Sequence, residues 1–229
     1  AKVNFIRCIV KYMKKGYKKI RLKEVEIRGY KSIDFEEAVN LELGDVNILL
    51  GANGAGKSNI VSFFKMLSFM MSKSFANYVE MAGTSNYLLH YGAKCTSFIE
   101  GSLKFSYNNY EDIYQFKLAN AAPDRLIVIE ESIKYHQVGE NKLHEVLLEP
   151  NYKESALADC QDPVAKSIYK MASFCKVYQF HDSSSDGPLR QVCPIETSDY
   201  LQSRGNNLPS FLYFLKENFQ HTKNFAGIF

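Results

Sequence analysis

The sequence predicts a mixed α/β domain that carries an antiparallel β layer, and three observations carry that prediction. First, the apolar pulse Val46-Asn47-Ile48-Leu49-Leu50 runs straight into a glycine-rich loop, and the apolar stretch from Asn59 through Phe69 follows it. That order reads as a buried strand, a turn and a helix. Second, Ser97–Phe105, Asp112–Leu118 and Leu126–Tyr135 are short strand-like segments separated by SYNNYED and ANAAPD. Short strands joined by such turns suit an antiparallel sheet better than a repeating βαβ array. Third, 229 residues with 46% hydrophobic and 23% charged side chains can bury a sizeable core, which excludes a disordered or fibrous chain.

The elements follow in chain order. Residues 1–19 form a basic leader. Residues 1–31 hold 11 Lys/Arg against 2 Asp/Glu, a net of +9, and the remainder holds 17 against 23, a net of −6, so the overall +3 hides a local imbalance. The cluster Lys14, Lys15, Lys18, Lys19, Arg21 and Lys23 either meets nucleic acid or is a solvated lead-in. Residues 20–50 read as strands: IRLKEVEI alternates imperfectly, and VNLELGDVNILL holds two pulses around Gly44-Asp45. Between them, Ile27-Arg28-Gly29-Tyr30-Lys31-Ser32-Ile33 places a Gly-aromatic turn, which on its residues alone is a basic β-hairpin. Residues 139–166, with Gly139, Pro150 and Pro163, read as loops or an irregular insertion, and Leu208–Phe219 reads as a helix with Phe211, Leu212, Leu215 and Phe219 on one face.

The strongest chemical signal is the loop itself. Gly51, Ala52, Asn53, Gly54, Ala55, Gly56, Lys57 and Ser58 match GxxxxGK[ST], with Asn59 opening the helix. Glycines let the backbone turn so that N–H groups converge on phosphates at a helix N-terminus. In that reading Lys57 bridges two phosphates as the catalytic cation, and Ser58 is the metal ligand, coordinating Mg2+. The five cysteines (Cys8, Cys95, Cys160, Cys175, Cys193) have no CxxC spacing and the histidines no HExxH pair, so neither a disulfide framework nor a zinc site is predicted. No run approaches 18 uncharged apolar residues; a cytoplasmic protein without a membrane partner is the default expectation.

RGYKSI followed by ILLGANGAGKSNIVSFFKML resembles the N-terminal lobe of the ATPases related to RecF, SMC and Rad50, within the ABC ATPase class. LLHYGAK (Leu88–Lys94), VYQFHDSS (Val177–Ser184) and NNLPSFLYFLKE (Asn206–Glu217) resemble bacterial AAA family ATPases of the RecF-like type, some relatives of which serve retron-associated and Septu-like phage-defence systems. The resemblance spans about residues 20–228 and implies a P-loop NTPase N-terminal lobe, with a mixed sheet and an antiparallel layer, that lacks its second lobe. It implies ATP and Mg2+ as cofactors, hydrolysis only in a complete dimer, and assembly through the missing half. Expected partners are a second copy, a nuclease or other effector subunit, and DNA. The Lys31-Ser32 position then lies near the nucleotide, with Lys31 a neighbour of its phosphate or base, and His181 and Asp182 stand near the place of the Q-loop. No signature motif, Walker B acid or switch histidine follows, so the chain reads as part of a longer protein that binds nucleotide better than it hydrolyses it.

Two alternatives stand beside that expectation. One is a self-contained phosphotransferase or nucleotidase, using as its acid either Glu130, at the end of Leu126–Glu131, or Asp182. The other is a DNA-binding or assembly module with a vestigial nucleotide site and Lys14–Lys23 as its contact strip. Ser184-Ser185-Asp186-Gly187 reads as an ordinary loop.

Overall fold

Eight strands and five α-helices are present in a computed structural model that describes residues 4–6, 21–107, 109–139, 143–178, 187–195 and 200–219. The strands are β1 (Asn4–Ile6), β2 (Arg21–Arg28), β3 (Val39–Glu42), β4 (Asn47–Leu49), β5 (Phe98–Tyr107), β6 (Tyr110–Ala121), β7 (Arg125–Gln137) and β8 (His144–Leu148). The helices are α1 (Lys57–Met71), α2 (Phe75–Ala82), α3 (Ser85–Leu88), α4 (Pro163–Ser173) and α5 (Leu208–Phe219). The chain divides into two compact units between Lys176 and Val177.

The first unit is built on a six-stranded sheet in the order β3-β2-β5-β6-β7-β8, every neighbouring pair antiparallel. Alternation places Val25 and Ile27 of β2, Ile99, Leu103 and Phe105 of β5, and Tyr114, Phe116 and Leu118 of β6 on the buried face. Helix α1 buries Phe63, Phe64, Met66, Leu67, Met70 and Met71, and the Phe63 ring stacks on Phe116 of β6 at 6.1 Å. Each such burial contributes about 1.5–3 kcal/mol. Gly101 lies directly across from Phe116, and a Cβ there would stand 2.3 Å from its ring, so glycine is what lets the aromatic lie flat against β5.

A bulge in β7 decides which side chains go inward. Lys117 faces Glu130 and Leu118 faces Val128, so Ile129 is an extra residue on β7. The parity therefore reverses: Val128 and Glu131 are both buried, while Glu130 turns to the open face. Glu131 receives hydrogen bonds from Tyr114 Oη, from Ser155 Oγ at 2.6 Å and from the Ala156 N–H at 2.6 Å. Burial pushes its carboxyl above the ordinary range, and these donors oppose that rise.

Residues 139–166 are more regular than their composition suggests. They hold β8, a 3-10 turn at Ala156–Ala158 and the start of α4. Asp162 caps α4 by accepting from the N–H groups of Val164 at 2.8 Å and Ala165 at 3.0 Å, with Pro163 in the first turn. Glu154 does the same for α2, accepting from the Phe75 N–H at 2.8 Å. In the second unit, buried Asn207 holds the approach to α5, donating to Tyr200 O at 2.7 Å and accepting from the Gln202 N–H at 2.9 Å. Phe211, Leu212 and Leu215 are only half-buried there, and Phe219 lies beyond the described side chains.

The architecture corrects the fold expected from the family resemblance. A P-loop NTPase core places the strand that feeds the loop among parallel neighbours, covered on both faces. Here that strand, β4, has three residues and pairs antiparallel with β1, Ile48 opposite Phe5. Val46, Ile48 and Leu50 are 69%, 55% and 74% exposed, so the predicted buried strand is a solvent-facing one. The chain is an α/β fold with an unclosed antiparallel sheet, and it is not the N-terminal lobe of a RecF/SMC/Rad50-like ATPase.

Candidate functional site

The loop between β4 and α1 is shaped by its glycines. Gly54 has φ +86° and Gly56 φ +80°, a region that residues with a Cβ rarely enter. A Cβ on Gly54 would meet nothing within 4 Å, whereas one on Gly56 would stand 3.4 Å from Ser32 Oγ. Gly56 is the N-cap of α1 and its carbonyl accepts from the Asn59 N–H at 2.9 Å. The first turn of α1 has neither a side-chain cap nor an acidic residue. Its leading N–H groups have no partner within the helix, which leaves a positive dipole end unopposed.

Two segments far apart in sequence meet at this turn. Asn59 Nδ2 donates to Ser32 Oγ at 2.6 Å, and Tyr30 Oη lies 3.1 Å from Ser62 Oγ on α1 and 3.0 Å from Tyr78 Oη on α2. Burial raises the Tyr30 phenol well above its ordinary pKa, so it acts as a neutral hydrogen-bonding strut. Gly29 has φ +68°, and a Cβ there would stand 2.2 Å from Phe98 O. The other side of the turn is clamped by the LLHYG segment: the Lys31 N–H donates to Leu88 O at 2.8 Å, the His90 N–H to Gly29 O at 3.0 Å, and His90 Nδ1 to Lys31 O at 2.8 Å. His90 Nε2 lies 3.2 Å from Asp34 Oδ2, and the N–H groups of Glu36 and Glu37 bonded to Asp34 hold that carboxyl below its usual range.

Lys31, at φ +54°, is thereby presented beside α1. Burial, and then the neighbouring Lys65 ammonium, lower its pKa, and its Nζ lies over the Tyr30 ring, 5.4 Å from the centroid. Among the described residues, no carboxylate lies within 4.0 Å of Lys31, Lys57 or Lys65 to form an ion pair. Lys57 is turned onto its own loop, donating to Gly51 O and Ala52 O at 2.6 Å each. Gly51, Ala52, Asn53, Gly54, Ala55 and Ser58 are exposed, and Asn59 is half-buried under Ser32. Of the residues predicted for the site, the structure thus brings Lys31 and Asn59 together through Ser32. Lys65 and the His90–Tyr91 pair were missed as site residues, although LLHYGAK was singled out for its resemblance.

Glu130 lies elsewhere. It lines a trough of about 700 Å3 on the open face of the sheet with Glu26, Arg28, Glu100, Lys117 and Lys134, and no residue of 51–59 lines that trough. Lys117 is paired with Glu100 at 2.8 Å and Lys134 with Glu145 at 3.3 Å, so the face is largely self-neutralised. His181, Asp182, Ser184 and most of Lys14–Lys23 lie outside the described residues.

No known family matches the chain, and no curated protein does either. Together with the antiparallel pairing of β4, this overturns the nucleotide expectations. The loop opens from a short exposed strand and not from a parallel sheet, and Lys57 is occupied by two carbonyls of its own loop. No group of three His, Cys, Asp or Glu side chains able to hold a metal occurs among the described residues, and no acidic side chain stands in the turn that carries Ser58. ATP and Mg2+ as cofactors, Ser58 as a magnesium ligand, ATP binding with hydrolysis in an ABC-class or RecF-like dimer, and an antiviral-defence role inferred from it are withdrawn. The self-contained phosphotransferase goes with them, because Glu130 faces the trough, as does the vestigial nucleotide site. Among the described residues, no helix is long and apolar enough to cross a membrane.

Proposed function

We propose that this chain is a binding module that contacts DNA through its sugar-phosphate backbone, using the surface where the Gly29–Ser32 turn meets the start of α1. The observation that carries the reading is that the Asn59–Ser32 hydrogen bond seats the Lys31 turn against the first turn of α1, which has no acid, while among the described residues no carboxylate pairs with Lys31, Lys57 or Lys65. Lysines that no carboxylate neutralises attract a phosphate, which also offsets the repulsion that Lys65 exerts on Lys31. Helix N-terminal N–H groups and the Ser32 hydroxyl are donors of the kind that phosphate oxygens accept. Such contacts position the backbone and do not read bases, so the reading predicts sequence-tolerant binding.

The test is fluorescence anisotropy of a labelled oligonucleotide across a salt series. Binding should weaken linearly on logarithmic axes, because neutralised phosphates release counterions. Lys31→Ala and Lys65→Ala should each reduce the slope by about 1. A double variant that binds like the parent chain would refute the assignment.

A further inference from the structure

Resting on that reading, and deepening it, we infer that Tyr91 is a stacking platform for an unpaired base, so that the preferred ligand of this surface is single-stranded nucleic acid. Tyr91 is 83% exposed and has φ +52°, a left-handed backbone that aromatic residues seldom adopt. A non-glycine residue held in that region, with its ring in water, is sustained by the structure around it and is a pointer to function.

The surrounding turn supplies that support. The Gly92 N–H donates to Leu89 O at 3.1 Å, the N–H groups of Cys95 and Thr96 both donate to Gly92 O at 3.0 Å, and the Ala93 N–H donates to Asn86 Oδ1 at 2.9 Å. On its inner side Tyr91 meets the His90 ring edge-on, with centroids 4.3 Å apart. His90 is itself locked to the Lys31 carbonyl and to Asp34. The backbone of Tyr91 is therefore held one residue away from the histidine that holds Lys31 in place, with its ring exposed.

Cations that track a backbone near an exposed aromatic are the two parts of a single-strand binding surface. The cations take the phosphates and the ring takes a splayed base, which a duplex keeps within its own stack.

The experiment compares a labelled oligo(dT) strand with a duplex of the same length at one salt concentration. The parent chain should favour the single strand. Tyr91→Ala should weaken oligo(dT) binding by between about 5- and 150-fold, the range of one lost base–aromatic stack, and leave duplex binding unchanged. Tyr91→Phe, which keeps the ring face, should bind like the parent. The inference is overturned if Tyr91→Ala binds both ligands as the parent does, if it loses both equally, or if Tyr91→Phe loses as much as Tyr91→Ala. If binding responds to Lys31→Ala but not to Tyr91→Ala, stacking fails and the backbone contact stands. If neither oligonucleotide is bound at low salt, both fail.

Discussion

The side-chain amide of Asn59 donates a 2.6 Å hydrogen bond to the hydroxyl of Ser32, joining the first turn of α1 to a turn 27 residues earlier in the chain. This bond, with Tyr30 against Ser62, makes one rigid surface out of two segments that the sequence presents separately. Its energetic weight is modest, because it lies at the surface. Ser32→Ala and Asn59→Ala should each cost about 0.5–1.5 kcal/mol in urea denaturation. The double variant should cost less than the sum of the two, since the second change finds no bond left to break.

Two glycines of the site should respond differently to the same change. Gly54→Ala meets open space and suffers only the left-handed backbone, a cost of about 1–2 kcal/mol. Gly29→Ala adds a collision of its Cβ with Phe98 O at 2.2 Å, so β5 or the turn must move. Its loss should exceed that of Gly54→Ala by at least about 1 kcal/mol, read as a lower denaturation midpoint.

The adjacent acids of β7 should separate completely. Glu130→Ala, on the open face, should change stability by no more than about 0.5 kcal/mol. Glu131→Ala strands the Tyr114 hydroxyl, the Ser155 hydroxyl and the Ala156 N–H in the interior, at a cost of more than about 3 kcal/mol. Equal midpoints for the two variants would show that the inward orientation of Glu131 is wrong.

Asp112 should make stability fall as pH rises. It is buried, and its Oδ2 has no hydrogen-bond partner. Burial pushes its pKa from 3.8 to about 6, and His136 only partly opposes that shift. The folded chain thus holds a proton that the unfolded chain has released between those two values. Stability contributed by the protonated acid is present below pH 3.8 and declines until the pH passes about 6. Asp112→Asn should flatten this slope and be more stable than the parent at neutral pH by about 1–2 kcal/mol, measured by denaturation at several pH values. A slope that survives the substitution would place the proton on another group.

Much of the local structure is legible in the residues. The strand segments within 97–135 and the helix from Asn59 onward fall where alternation and apolar spacing put them, because each of those signals is local to its own element. The start of α4 was also written plainly, in Asp162-Pro163, but was read as punctuation of a loop when it is an N-cap followed by proline. Which of the two acids that end Leu126–Glu131 faces inward is not legible there: the extra residue Ile129 reverses the parity of β7, and a bulge exists only in relation to the partner strand.

By itself the sequence determined the glycine-dependent turn at 51–56, the helix that follows it, the antiparallel strand segments and the lack of a metal-ligand spacing. These depend on backbone freedom, side-chain period and residue type over a few positions. Tertiary structure alone decided that β4 pairs antiparallel with β1 and stays exposed, which removed the nucleotide reading that the loop motif had suggested. It also decided that the Lys31-Ser32 turn meets the start of α1 on one side and His90, next to Tyr91, on the other. His90 reaches the Lys31 carbonyl across 59 residues of chain, and no local rule of composition or spacing reports a contact of that range.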